Sequence, residues 1–152
     1  MKRFVQGEMY MQAEPETVWS VLADFHHVHR WAREVTHCEP LGDVPRGLGA
    51  GRRCVIRGVG QVDEYITRWQ PGESIGYSVS RLGPIIRSES DWQLRSAEQG
   101  GTHVSLGLHY EMAWGPLGRL LDRLLVRKRL QASIPRVLKR LSRHLGNNDH
   151  AG

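Results

Sequence analysis

The sequence predicts an α+β protein in which a curved antiparallel sheet of six or seven strands wraps a C-terminal helical segment. Three observations carry this. Two consecutive segments after residue 84 alternate between apolar and polar residues at period two. Near the N-terminus a proline opens a short amphipathic helix, just after an alternating run. The chain then closes on a leucine-rich segment with helical spacing.

Taken in order, Phe4 to Met11 reads as the first strand. In Ala13-Glu14-Pro15-Glu16-Thr17-Val18-Trp19-Ser20-Val21-Leu22-Ala23-Asp24, Pro15 suits a first helical turn because its missing N–H has no partner there. Glu14 and Glu16 suit the positive end of that helix. Val18, Val21 and Leu22 share one face, with Trp19 flanking them. A second short segment leads to Trp31. Strands are expected over 35–41, 52–60, 61–69 and 74–81, with Gly58-Val59-Gly60 and Pro71-Gly72 as turn signals.

The next strand sets Ile86, Ser88, Ser90, Trp92 and Leu94 on one face, against Arg87, Glu89, Asp91, Gln93 and Arg95. After the loop Ala97-Glu98-Gln99-Gly100-Gly101, Val104, Leu106, Leu108, Tyr110 and Met112 share a face. One-sided alternation means an antiparallel sheet with one wet face. A tightly packed core has little use for Ser88 and Ser90 together. A cavity does, because pockets are apolar with a few placed polar groups.

The closing segment contains a conflict. Leu117, Leu120, Leu121, Leu124 and Leu125 define one apolar face. Leu130, Ile134, Val137, Leu138, Leu141 and Leu145 define another, turned from the first by roughly 120° at ~100° per residue. Pro135 follows the change of phase. Two helical pieces are expected, broken between about Arg127 and Pro135. The second should cross the sheet.

A chain of 152 residues is one domain, here residues 1–146, with 147–152 a polar, frayed, disordered tail. No run reaches membrane-span length, and the first residues lack the apolar stretch of a signal peptide. The cytoplasm is the expected location. Cys38 and Cys54 are not in a metal spacing and are expected as free thiols. The formal charge of +5 is concentrated in Arg119 to Arg143. No nucleic-acid motif accompanies it, so a solvated helix face is the plain reading.

Asp24, His26, His27, His29, Glu34 and His37 resemble a ligand pool, but among its histidines only His26 and His29 have helical ligand spacing, and no metal site is expected. Gly47-x-Gly49-x-Gly51 precedes a strand, not the helix that a phosphate cradle requires, and reads as a loop over a cavity entrance. No Gly-x-Ser-x-Gly is present. Glu64 shares a side with Val62 and Ile66. It is either a semi-buried carboxylate or the partner of a neighbouring-strand arginine such as Arg57. Glu64, Tyr65 and Tyr77 are the weak catalytic candidates, with Ser88, Ser90 and Tyr110 as further polar groups. Trp92 and Trp31, with Ser88, Ser90 and Tyr110, are the candidate ligand contacts. Trp31 is expected near the opening.

The opening strand, the run Ala13-x-Pro15-x-x-Val18-Trp19, then Leu22-x-Asp24 and Trp31, resembles the START-like (SRPBCC) superfamily in its polyketide cyclase/dehydrase branch. Gly47-Leu48-Gly49-Ala50-Gly51, Glu64, Trp69-Gln70-Pro71-Gly72-Glu73 and Gly115-Pro116-Leu117-Gly118-Arg119-Leu120-Leu121-Asp122 extend the resemblance along nearly the whole chain. It implies a helix-grip (START-like, Bet v 1-like) fold around an internal cavity. Many relatives flank the tryptophan matching Trp31 with prolines; here the segment reads His26-His27-Val28-His29-Arg30-Trp31-Ala32-Arg33, so the lining near that mouth differs.

The resemblance implies a hydrophobic, aromatic or polyketide-like ligand and, for an enzyme, its cyclisation, aromatisation or dehydration. The alternative is a non-catalytic carrier of a lipid, quinone or secondary metabolite. A third role, docking of the basic closing helix on a membrane surface, would require that helix to leave the fold. No cofactor, no nucleic acid and no stable membrane insertion are expected, and the chain is expected as a monomer or homodimer.

Overall fold

A computed structural model describes residues 2–149, with side chains through 146. The strands are β1 (Lys2–Met11), β2 (Val35–Leu41), β3 (Gly51–Ile56), β4 (Gly60–Gln70), β5 (Ser74–Val79), β6 (Ile85–Ser96) and β7 (Thr102–Met112). They form one seven-stranded sheet in the order β1-β7-β6-β5-β4-β3-β2, and each neighbouring pair is antiparallel. β1 and β2 are the edges, so the sheet curves without closing. Bulges at Val35/His37, Ile66/Arg68 and Ile85/Arg87 supply local bend and twist.

Between β1 and β2 lie α1 (Pro15–Ala23) and a 3-10 segment, Phe25–Arg30. α1 buries Val18, Trp19, Leu22 and Ala23. Glu14 makes no side-chain cap on its own helix. Its carboxylate instead accepts a hydrogen bond from the Gly101 N–H at 3.0 Å, which ties the helix start to the β6–β7 hairpin.

The inward face of β6 holds Ser90 and Trp92 buried and Ser88 and Leu94 half-buried. Ile86 departs from the expected pattern and is exposed. The Ile85/Arg87 bulge adds a residue there, so Ile85 joins the core instead. The cysteines also correct the expectation of free thiols. Cys38 and Cys54 face each other directly across β2 and β3, with Cα atoms 4.2 Å apart, and form a disulfide. That apposition depends on strand register, which the spacing of two cysteines does not reveal.

The closing segment consists of α2 (Gly115–Leu121), a π-turn over Asp122–Val126, and α3 (Arg127–Asp149). The irregularity lies ahead of the expected break, and α3 runs unbroken through Pro135. A π-turn carries one extra residue, or about 100° of helical phase. That accounts for the rotated apolar face without a proline kink. Residues 147–149 continue α3, and 150–152 lie outside the described residues.

α3 lays Ile134, Leu138, Leu141 and Leu145 into the core, none more than 2% exposed. Each such burial stabilises by about 2 kcal/mol. Gly7 on β1 permits the close approach: a Cβ there would stand 2.5 Å from Ile134 Cγ2.

Candidate functional site

Under α1 and the 3-10 segment, Leu22, Phe25, Trp31, Arg52, Tyr77 and Trp92 enclose an inner hollow of about 10 Å³, room for about one water. The Trp31 and Trp92 rings meet edge to face at 6.0 Å, a favoured aromatic geometry. Trp92 Nε1–H donates to the Tyr77 hydroxyl at 3.2 Å. Tyr77 also pairs across strands with Ser90. Burial pushes the Tyr77 phenol above its usual range, and the nearby Glu64 charge adds to the rise. Tyr77 therefore keeps its proton at neutral pH.

Arg52 is buried and lines this hollow. Its guanidinium sits 3.8 Å from the Phe25 ring centroid and 4.9 Å from that of Tyr77. Nε donates to Glu64 Oε1 at 2.9 Å and Nη1 to the Phe25 carbonyl at 2.8 Å. Arg52 and Glu64 are both buried. The partner of Glu64 is thus Arg52, directly opposite in the β3–β4 register, and not Arg57. Glu64 stands behind Arg52. Tyr65, the next residue, is 43% exposed, because strand alternation turns it to the opposite side.

The expected ligand contacts divide between hollows. Trp31 and Trp92 belong to the inner one. Ser88 and Tyr110 line a second, more polar hollow of about 300 Å³ with Lys2, Arg87 and Glu111. Ser88 lies four residues from Trp92 on β6, about 13 Å along the strand. Tyr110 O–H donates to Asp122 Oδ1 at 2.6 Å, and the buried Asp122 is paired with Arg3 at 3.2 Å. Burial raises the Tyr110 phenol, and its hydrogen bond to Asp122 raises it further.

A third hollow of about 200 Å³ is lined by Arg30, Arg33, Arg140, Arg143, His144 and Trp31. Arg140 pairs with Glu34, and Arg30 lies 3.7 Å from Asp24. Trp31 is itself buried and borders both this basic hollow and the inner one. The histidines between α1 and β2 diverge. His26 Nε2–H donates to the Gly51 carbonyl at 2.9 Å, while His27 Nδ1–H donates to Asp24 at 2.6 Å. The Gly47–Gly51 loop packs under Trp69 and pairs with Ile66, and it does not line any of these three hollows.

Sequence reasoning missed Arg52, Phe25 and the arginine cluster. Arg52 had one available signal: it heads the strand preceding Glu64. The cluster joins residues more than a hundred positions apart and had none.

A family model described as polyketide cyclase / dehydrase and lipid transport matches residues 4–146. The fold is shared with TTHA0849 from Thermus thermophilus, at 25% identity and TM-score 0.75, over 96% of this chain and 99% of that one. It is shared also with Ara h 8.0201, at 12% identity and TM-score 0.77, over 97% and 99%. No curated protein matches. Among the described residues no helix is long and apolar enough to cross a membrane. With its helix-grip sheet and its match across nearly the whole length, the chain belongs to the polyketide cyclase/dehydrase and lipid transport family of START-like (SRPBCC) proteins, a family of hydrophobic-ligand binders.

Proposed function

We propose that the chain binds an aromatic or polyketide-like molecule with an acidic end. Its rings would lie against Trp92 and Tyr77, and its acid among Arg30, Arg33 and Arg143. The observation that carries this is the position of Trp31, one side chain shared by an apolar hollow and a basic one. A turn of that indole joins the two into a single amphiphilic slot. Trp31 then acts as the door, and the 10 Å³ inner hollow is its shut state.

Within the slot, Arg52 and the protonated Tyr77 are placed to stabilise negative charge on a ligand carbonyl oxygen. Glu64 is the positioning residue that holds Arg52. Folding of a reactive chain in so narrow a space would favour ring closure by proximity.

Tryptophan quenching by anthraquinone-2-carboxylate, beside its neutral amide, tests the reading. The acid should bind more tightly than the amide. Arg33→Ala should weaken the acid about tenfold, the loss of one charge-assisted hydrogen bond, and leave the amide unchanged. Trp92→Phe should remove most of the quenching. Equal binding of acid and amide, or a Trp92→Phe variant that quenches as before, defeats the assignment.

A further inference from the structure

α2 and the π-turn are amphipathic in the wrong sense for a soluble surface helix. Such a helix turns its apolar stripe inward. Here the buried residues are Gly118 of α2 and Asp122 of the π-turn, while Leu117 is 64% exposed and Leu124 60%. Trp114, Leu120 and Leu125 are also exposed.

The inversion is built into the backbone. A Cβ on Gly118 would stand 1.7 Å from the Ala113 carbonyl oxygen, so only glycine fits against the end of β7 there. Asp122 is drawn inward by Tyr110 and Arg3. With those two positions facing in, the leucines must face out. Trp114 heads the segment with φ of 70°, a left-handed conformation uncommon for a large residue. An exposed indole held in that conformation at the start of a leucine stripe is not explained by packing.

Charge identifies what covers the stripe. Arg119, Arg123, Arg127, Lys128 and Arg129 flank it, all exposed. From Ala113 to Gly146 the only acidic residue is Asp122, and it is buried and paired. A second copy of the chain would bring the same five cations against these, and like charges in apposition oppose association. An anionic bilayer supplies both halves of the match. Phosphate headgroups meet the cations, and the acyl boundary takes the leucines, with an indole at headgroup depth.

We infer that this face docks the protein reversibly on anionic lipid surfaces, through Trp114, Leu117 and Leu124 and the basic residues beside them. The helix need not leave the fold, since its apolar side is already outside. Nor does the inference depend on which ligand the hollows take.

Flotation of the purified chain with vesicles tests it, using phosphatidylcholine alone or phosphatidylcholine mixed with phosphatidylglycerol. Wild type should bind the anionic vesicles at least about tenfold better than the neutral ones, and added salt should weaken binding. The double variant Leu117→Ser/Leu124→Ser should lose vesicle binding while keeping wild-type thermal unfolding. Arg123→Glu/Arg127→Glu should lose the preference for anionic lipid. The inference is overturned if wild type ignores anionic vesicles, or if the leucine variant binds them as well as wild type. It is also overturned if wild type sediments as a dimer that the leucine variant dissolves, for the face then belongs to a second copy.

Discussion

α2 and α3 are consecutive stretches of one closing segment, both rich in leucine and arginine, yet they use their apolar faces in opposite ways. α3 presses Ile134, Leu138, Leu141 and Leu145 into the core. α2 turns Leu117 and Leu120 to the outside. Hydrophobic spacing is equally good in both. What differs is the residue that each helix offers its neighbour. α3 meets β1 over Gly7, whose missing side chain makes room for Ile134. α2 itself supplies the glycine, Gly118, against a backbone carbonyl. An apolar stripe therefore marks a face that seeks a partner, and the partner need not be the protein's own core.

The comparison can be broken most sharply at Leu138. Leu138→Ala should cost about 3 kcal/mol, because a cavity is left where the surroundings cannot collapse. Urea unfolding would show it as a lowered midpoint with little change in slope. A smaller loss is expected at the joint between the two helices. Asp122→Ala should cost about 2 kcal/mol by stranding the Tyr110 hydroxyl and the Arg3 guanidinium. Unchanged stability would show that Asp122 does not hold the joint inward.

A pH effect follows from the two buried phenols. Burial holds Tyr77 and Tyr110 above the ordinary phenol range. Above about pH 10 the unfolded chain releases those protons first, so it binds fewer than the native chain, and stability falls as pH rises. Below that range both states keep the protons and the contribution is fully present. Tyr110→Phe should flatten part of this alkaline slope, and thermal unfolding followed from about pH 8 to 11 measures it. An unchanged slope would mean that Tyr110 is not held protonated in the native chain. The smallest effect belongs to the exposed stripe. Leu124→Ser should shift stability by no more than about 0.5 kcal/mol. A loss as large as that of Leu138→Ala would place Leu124 in a core and remove the contrast.

The elements that were legible from the residues share a property: their signal is local. Period-two alternation placed β6 and β7. Pro15 with its acidic neighbours placed α1, and the split apolar face exposed a phase change in the closing segment. The corrections arise where one residue or one register changes the count. The Ile85/Arg87 bulge turned Ile86 outward, and the π-turn moved the phase change ahead of Arg127. For the candidate site, Ser90 and Trp92 were readable as residues on one face of an alternating strand, and Trp31 as a residue near the opening. Their partners were not, because Arg52 meets Glu64 only through the β3–β4 register.

By itself, then, the sequence determined which residues alternate, where helices begin, and that the closing segment bears two apolar faces, because these depend on neighbours within one or two turns of chain. Tertiary structure alone decided which face is buried, that Cys38 meets Cys54, that an arginine lines the interior, and that Arg33 and Arg143 share a hollow with Trp31. Those outcomes depend on register between strands and on where Gly7 and Gly118 leave room for the Ile134 side chain and the Ala113 carbonyl, and a short window of sequence carries no record of either.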